Sequence, residues 1–352
     1  MRATMHILNG LSSPRRPRPS SHTVPFRDLV KSSKALTCLY YVVDDIRAGR
    51  RLRRGDIATD SGRRHSSQRI DESLSYIRSV YSDYLSYARI DRMAGRVCEI
   101  GPGDNFGVAL MALGYGAREV VAIDRFYSRR DEEYQRHLYE RLVHETGWRD
   151  LFDGPIAEES IRGLDYRPGE PAETFFRDQQ GSFDFIVSRA VLEHLYDPLG
   201  ALRDMERSLA PGGTLIHRVD LRDHGMFANL HPLTFLTVGD PLYRRMTRNA
   251  GRPNRVLLHR YRDWLARSSL DGEILITRLA GVTQEVGPAE WDALHRRDRD
   301  LAVECVRQVR SGLAPEFAAL PDECLAVSGL VLVARKRCEV THRAGELEGQ
   351  EA

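Results

Sequence analysis

One stretch of this chain restricts its fold more than any other: Glu99-Ile100-Gly101-Pro102-Gly103-Asp104, a glycine turn that closes the strand-like run Arg96–Ile100. Glycines between a strand and a helix let a ligand approach backbone that a side chain would otherwise cover. Asp124 follows Glu99 by 25 residues and closes the run Val120-Val121-Ala122-Ile123. An acid at the tip of a second parallel strand is placed to accept hydrogen bonds from two ribose hydroxyls. Turn and acid together point to an adenosine-bearing ligand. A tight turn and a strand-end cap in any α/β protein would look the same, so the neighbouring residues have to decide.

They decide against a dinucleotide. The GxGxxG fingerprint needs a third glycine for close helix packing, and Phe106 holds that position. The carboxylates of Glu99 and Asp104 flank the turn, where they would repel a pyrophosphate and attract a cation. No GxxxxGK[ST] phosphate loop occurs.

The rest of the chain reads as alternating strand-like and helix-like segments, the pattern of parallel α/β construction. Apolar residues at Ile70, Leu74, Ile77, Val80, Tyr81, Tyr84 and Leu85 recur at helical spacing. After Arg96–Ile100 come a helix at Phe106–Leu113, a strand at Glu119–Ile123 and a helix at Asp131–Val143. A weaker strand near Gly163–Tyr166 precedes a strand at Phe183–Ser188 and a helix at Pro198–Leu209. A strand at Thr214–Leu221 is entered through a Pro211-Gly212-Gly213 turn. Residues 222–258 break the rhythm. Helix resumes at Arg260–Ala266, followed by a strand at Glu273–Arg278, a polar helix over Trp291–Arg310 and a last strand at Val327–Ala334.

These motifs, in this order, resemble a class I S-adenosylmethionine-dependent methyltransferase of the type 11 kind. The resemblance rests on Glu99–Gly103, the acid Asp124, the run Phe183–Pro198 and the run Leu209–Leu215; it covers residues 95–220 well and 260–335 more loosely. It implies a Rossmann-like, doubly wound, mostly parallel sheet with an antiparallel last strand, and S-adenosylmethionine as cofactor. Glu99, Gly101, Gly103 and Asp104 would line the methionine end, Asp124 would hold the ribose, and Phe126 would stand against the adenine unless it is plain core. Ser188 and Arg189 would offer backbone to the methionine moiety. The family's Gly-Asp-Ala before the fourth strand is replaced by Pro171-Ala172-Glu173, so Glu173 is the substitute acceptor for the adenine amine, or a solvated loop acid.

Methyl transfer is an in-line displacement, so the protein aligns the acceptor and, for a poor nucleophile, removes a proton. Candidate bases belong on loops at the carboxyl ends of the fourth and fifth strands. His194 is one, with helix packing as its alternative role. Asp220 and His224 form the preferred base pairing, against a loop-stabilising hydrogen bond. Strand alternation sends His217 and Asp220 to opposite faces, so no metal site is expected from them. The segment 229–255 walls an acceptor pocket or serves as a cap or dimer contact.

The expected organisation is a basic arm at 1–25, an extension at 26–68, the cofactor-binding core at 69–221, an acceptor-side insertion at 222–258, the C-terminal part of the core at 259–337, and a tail at 338–352. A formal charge of +2, from 52 basic against 50 acidic residues, gives no global field toward nucleic acid or membrane; any such attraction would have to be local. No apolar run approaches the ~20 residues that span a bilayer. Five scattered cysteines without metal-ligand spacing suit a reducing cytoplasm. The expected partner is a small organic acceptor, with a homodimer left open. An RNA acceptor held by the arginine-rich start is an alternative class, as is a non-catalytic cofactor-binding subunit.

Overall fold

Val120, Val121, Ala122 and Ile123 have no exposed surface at all, the condition of a parallel strand covered on both faces. They belong to a seven-stranded sheet seen in the computed structural model, which describes residues 33–59 and 68–338. Its strands are β1 (Gly95–Ile100), β2 (Ala117–Asp124), β3 (Leu164–Pro168), β4 (Phe183–Arg189), β5 (Leu209–Asp220), β6 (Leu270–Leu279) and β7 (Val327–Lys336). They lie in the order β3-β2-β1-β4-β5-β7-β6, parallel except for β7, which runs antiparallel to both neighbours. The doubly wound, mostly parallel class therefore holds. The order reverses at β1 and β4, so the crevice beyond their carboxyl ends is the switch point where such sheets bind ligands.

The principal helices are α1 (Lys34–Leu52), α2 (Ile70–Ala88), α3 (Gly107–Gly114), α4 (Glu132–Thr146), α5 (Pro198–Ser208), α6 (Asp240–Thr247), α7 (Leu258–Arg267) and α8 (Arg296–Val309). Local chemistry sets several of their ends. The Asp131 carboxylate accepts a hydrogen bond from the Tyr134 amide to start α4, and Gly147 ends it in the left-handed region. Asp197 accepts from the Gly200 amide to start α5, with Pro198 in its first turn. On α2, Leu74, Ile77, Val80, Tyr81 and Tyr84 are buried as their spacing requires.

One expectation needs correction. The Pro211-Gly212-Gly213 segment is not a turn that precedes the fifth strand. Phe183 pairs with Leu209 and Phe185 with Thr214, so pairing exists on both sides and the extra residues bulge out of a strand that begins at Leu209. A side chain on Gly213 would meet the Phe183 carbonyl oxygen at 2.8 Å. The apolar run 35–43 and the basic run 47–54 share one helix, α1, through Leu52. Its inner residues Cys38 and Tyr41 enter the same core as the insertion's Tyr243 and Met246. Long-range burial decides this, and no local pattern reports it.

The insertion is partly helical, with α6 inside it and α7 starting at its end. The basic arm and the residues after Cys338 lie outside the described residues. Among the described residues no helix is long and apolar enough to cross a membrane.

Candidate active site

The crevice begins where β1 ends. Gly101 and Gly103 both have φ of 73°, a conformation that costs any other residue free energy. The Gly101 amide donates to the Ile123 carbonyl at 2.8 Å, tying the turn to β2. A Cβ on Gly101 would stand 2.6 Å from Val191 Cγ2, so β4's loop closes the other wall. Glu99 is 7% exposed, and its Oε2 is buried without a hydrogen-bond partner. Burial pushes its pKa up to about 8, with Arg130 acting weakly the other way. Asp124 is pushed up to about 6, again by burial, against the amides of Phe126 and Arg125 and the charge of Arg130. Burial shifts both carboxyl groups toward the neutral form, Glu99 further than Asp124, and the nearby positive charge only partly offsets it.

An arginine that the motifs did not flag completes this wall. Arg130, with 3% of its side chain exposed, lies 4.1 Å from the ring centres of both Phe106 and Tyr166. It pairs with Glu158 at 2.5 Å and donates to the Gly103 carbonyl at 3.2 Å. Its only sequence signal is its place in the loop after Asp124. Asp104 is buried beside it, accepting from the Asn105 amide group at 3.1 Å, while its carbonyl accepts from Gln135 at 2.5 Å.

At the other end of the crevice Phe126 is half-buried, its ring 2.9 Å from where a Cβ of Gly251 would lie. Glu173 sits on a helical turn spanning Ala172–Phe175. One carboxylate oxygen of Glu173 pairs with Arg125 and accepts from the Tyr196 amide, and the other is buried without a partner. Arg125 in turn lies 4.1 Å over the Tyr196 ring. Glu173 is thus no solvated loop acid.

Ser188 and Arg189 also stand at the rim, but their side chains turn away from it. The Ser188 hydroxyl is hydrogen-bonded to His217 Nδ1 at 2.8 Å, both residues fully buried. Arg189 donates to Asp83 of α2 at 2.6 Å. Only their backbone remains for a ligand.

The carboxyl ends of β4 and β5 bring a second group together. His224 Nε2 lies 3.6 Å from Glu193 Oε1 and 3.6 Å from Asp220 Oδ2. The His194 and His224 rings meet edge to face at 4.8 Å. His194 Nδ1 is 2.7 Å from the Gly251 carbonyl, which can only accept, so Nδ1 carries the hydrogen and donates to it. His224 has φ of 49°, a strained conformation for a non-glycine residue that the fold has to hold. Burial lowers both imidazoles, His194 to about 4 with help from His224, so both are neutral at pH 7.

The expected Asp220–His224 pair is adjacent but not hydrogen-bonded. Burial works to raise the Asp220 pKa, and the Arg222 hydrogen bonds and charge outweigh it. Arg222 takes both Asp220 oxygens, leaving His224 at the edge. Glu193 is the residue that sequence reasoning passed over in favour of its neighbour. It is 1% exposed, and neither carboxylate oxygen makes a hydrogen bond of good geometry, although its own amide and that of Asp220 lie close enough to act on it. Burial raises its pKa well above the usual range. The Tyr261 hydroxyl, also buried without a partner, adjoins it. Glu193, His194 and His224 offer one ligand atom each within 4.8 Å, a grouping that the His217/Asp220 argument did not consider.

The cleft fits a cationic adenosine cofactor. An orphaned buried carboxylate beside a glycine cradle suits an ammonium or sulfonium, and an acid at the end of β2 suits a ribose.

Comparison with known proteins agrees with this chemistry. A family model described as a methyltransferase domain matches residues 73–269. Ubiquinone biosynthesis O-methyltransferases of Xanthomonas oryzae pv. oryzae and Xanthomonas campestris pv. campestris are 31% identical over 142 residues, which is 40% of this chain and 49% of theirs. The chain thus spans about half the length of the curated relatives it matches. Among solved structures, phosphoethanolamine N-methyltransferase 2 of Haemonchus contortus with S-adenosyl-L-methionine aligns with TM-score 0.39 and 15% identity. That alignment covers 74% of this chain and 52% of that one. A methyltransferase from Mesorhizobium loti aligns with TM-score 0.38 and 16% identity over 76% of this chain and all of its own.

Proposed function

This chain belongs to the methyltransferase-domain family; from that premise we propose that it is an S-adenosylmethionine-dependent enzyme that methylates a hydroxyl of a small organic acceptor, with His224 as the base. The observation that carries the reading is a neutral, strained imidazole beside a buried, unpartnered carboxyl at the carboxyl ends of β4 and β5. An amine with a free lone pair needs no proton removed before it attacks, whereas a hydroxyl gains most from a base.

The cofactor supplies an activated methyl group on a sulfonium. Glu99, Gly101, Gly103 and Asp104 are assigned to its methionine end, with backbone from Ser188 and Arg189. Asp124 is assigned to the ribose hydroxyls. Phe126 and the free oxygen of Glu173 are assigned to the adenine, as wall and as acceptor for its amine. On the acceptor side His224 takes the hydroxyl proton as the oxygen attacks. Asp220 and Glu193 stabilise the imidazolium, and His194, fixed by the Gly251 carbonyl, holds the His224 ring edge to face.

The O-methyltransferase names of the relatives favour oxygen over nitrogen or carbon as the target. A phenol or catechol and an amine of similar size, each incubated with methyl-labelled cofactor, test this directly. Labelled product from the hydroxyl compound, lost in His224→Asn, supports the reading. Transfer to the amine alone, unchanged in His224→Asn, overturns it.

A further inference from the structure

The outer face of α1 is apolar where a water-facing helix should not be. Leu36, Leu39, Tyr40, Val43 and Ile46 are all exposed, Leu39 at 61%. They recur three and four residues apart, so they form one stripe over three turns. Single exposed apolar residues are ordinary; a contiguous stripe marks a contact.

The inner face of the same helix is clamped. Cys38, Tyr41, Ala48 and Gly49 are buried. Asp45 accepts from the amides of Asn249 and Ala250 at 2.7 and 3.0 Å, and Asp44 pairs with Arg252 at 2.7 Å. The stripe is therefore held outward by part-buried hydrogen bonds, and its exposure is not that of a loose end. The helix's two acids are spent on this clamp.

What continues the outer face is positive. Arg47, Arg50, Arg51, Arg53 and Arg54 follow the stripe along the helix and its end, all of them exposed. Of the two acids of α1, Asp45 is buried and Asp44, part-exposed, is paired with Arg252. Apolar residues at one end and arginines at the other suit a surface with anionic headgroups and accessible acyl chains. A second copy of this chain would offer no acidic complement from the same face.

We propose that α1 seats this protein on an anionic lipid surface, with Leu36, Leu39, Tyr40, Val43 and Ile46 entering the headgroup boundary and the arginines facing the headgroups. The neutral bulk charge hides this patch, because the attraction is confined to one helix. The turn 249–252 that α1 clamps also holds His194 through the Gly251 carbonyl. That turn thus links the lipid-seated helix to the acceptor side of the sheet.

Co-sedimentation of the full chain with phosphatidylcholine vesicles, with and without phosphatidylglycerol, tests this without turnover, so its result is separate from that of the methylation assay. The expected result is binding to the anionic vesicles only, weakened by salt. Leu39→Asp with Val43→Asp, and separately Arg50→Gln with Arg51→Gln, should each lower binding about tenfold or more. Both variants change exposed residues, and an unaltered thermal midpoint checks that they fold. Three outcomes overturn the proposal: no binding to anionic vesicles, binding that survives the aspartate pair, or a dimer in sedimentation equilibrium that the aspartate pair dissociates.

Discussion

His224 Nε2 stands 3.6 Å from the buried Oε1 of Glu193, a carboxylate with no hydrogen bond of good geometry. In the resting chain burial favours the neutral form of both groups. A proton arriving on His224 favours the ionised form of Glu193, whose own proton passes to bulk water, since opposite charges a few ångströms apart stabilise each other. The pair is built to receive a proton and to hold the charge that results.

The pH profile of turnover follows from that pair. The His224 pKa is lowered by burial, so the base form persists below the usual histidine range. The acid limb of kcat/KM should fall at a pH under ~6.5. His224→Asn should remove this limb and cost about 10²–10⁴ in kcat. An acid limb that survives the substitution assigns the base elsewhere.

Glu193→Gln retains the shape of the neutral acid and cannot ionise. Folding should be unchanged, while kcat should drop roughly tenfold or more with little change in KM, as expected for an interaction made only as charge develops. A matching loss of thermal stability instead would make Glu193 a packing group.

Cofactor affinity should depend on Glu99. In the free chain its pKa lies near 8, and a bound cation favours the ionised form, so binding should tighten from pH 6 to pH 7.5. Glu99→Gln should flatten this dependence and weaken binding at pH 7.5. Calorimetry at several pH values reads both effects.

The same carboxyl groups make the unliganded chain sensitive to base. A folded-state pKa above the unfolded value means stability that is full below the unfolded pKa and lost as pH rises through the folded one. For Glu99 that window runs from 4.5 to about 8, and for Asp124 from 3.8 to about 6. The thermal midpoint without cofactor should fall between pH 5 and pH 8. Glu99→Gln should reduce that fall, as should saturating S-adenosylmethionine. A midpoint that rises over this range contradicts the burial argument.

Asp124→Ala should weaken S-adenosylmethionine about tenfold or more, the scale of lost charge-assisted hydrogen bonds, and NAD should bind neither protein. Gly101→Ala should destabilise the fold by about 1–3 kcal/mol, because the new Cβ meets Val191 in a backbone conformation glycine favours. Thermal melts with and without Val191→Ala separate the clash from the backbone strain.

The sheet was legible because its information is local. The apolar runs ending at Ile100 and Ile123, the glycines that follow Ile100 and the acid at Asp124 declare two parallel strands and a turn open to a ligand. Each of these signals lies within a few residues of the others or at the end of a strand. Strand limits were less visible, as at Leu209, where pairing across a bulge extends β5 past its Pro-Gly-Gly segment.

What the residues determine alone is the class of sheet, the cradle at Gly101 and Gly103, and the carboxylate character of the cleft. Tertiary structure decided which distant groups share a space. Arg130 reaches the Gly103 carbonyl, Glu193 meets His224, and α1 is clamped by a turn some 200 positions away. Local pattern carries backbone geometry and burial, but the meeting of side chains far apart in sequence is set by packing, which only the folded chain specifies.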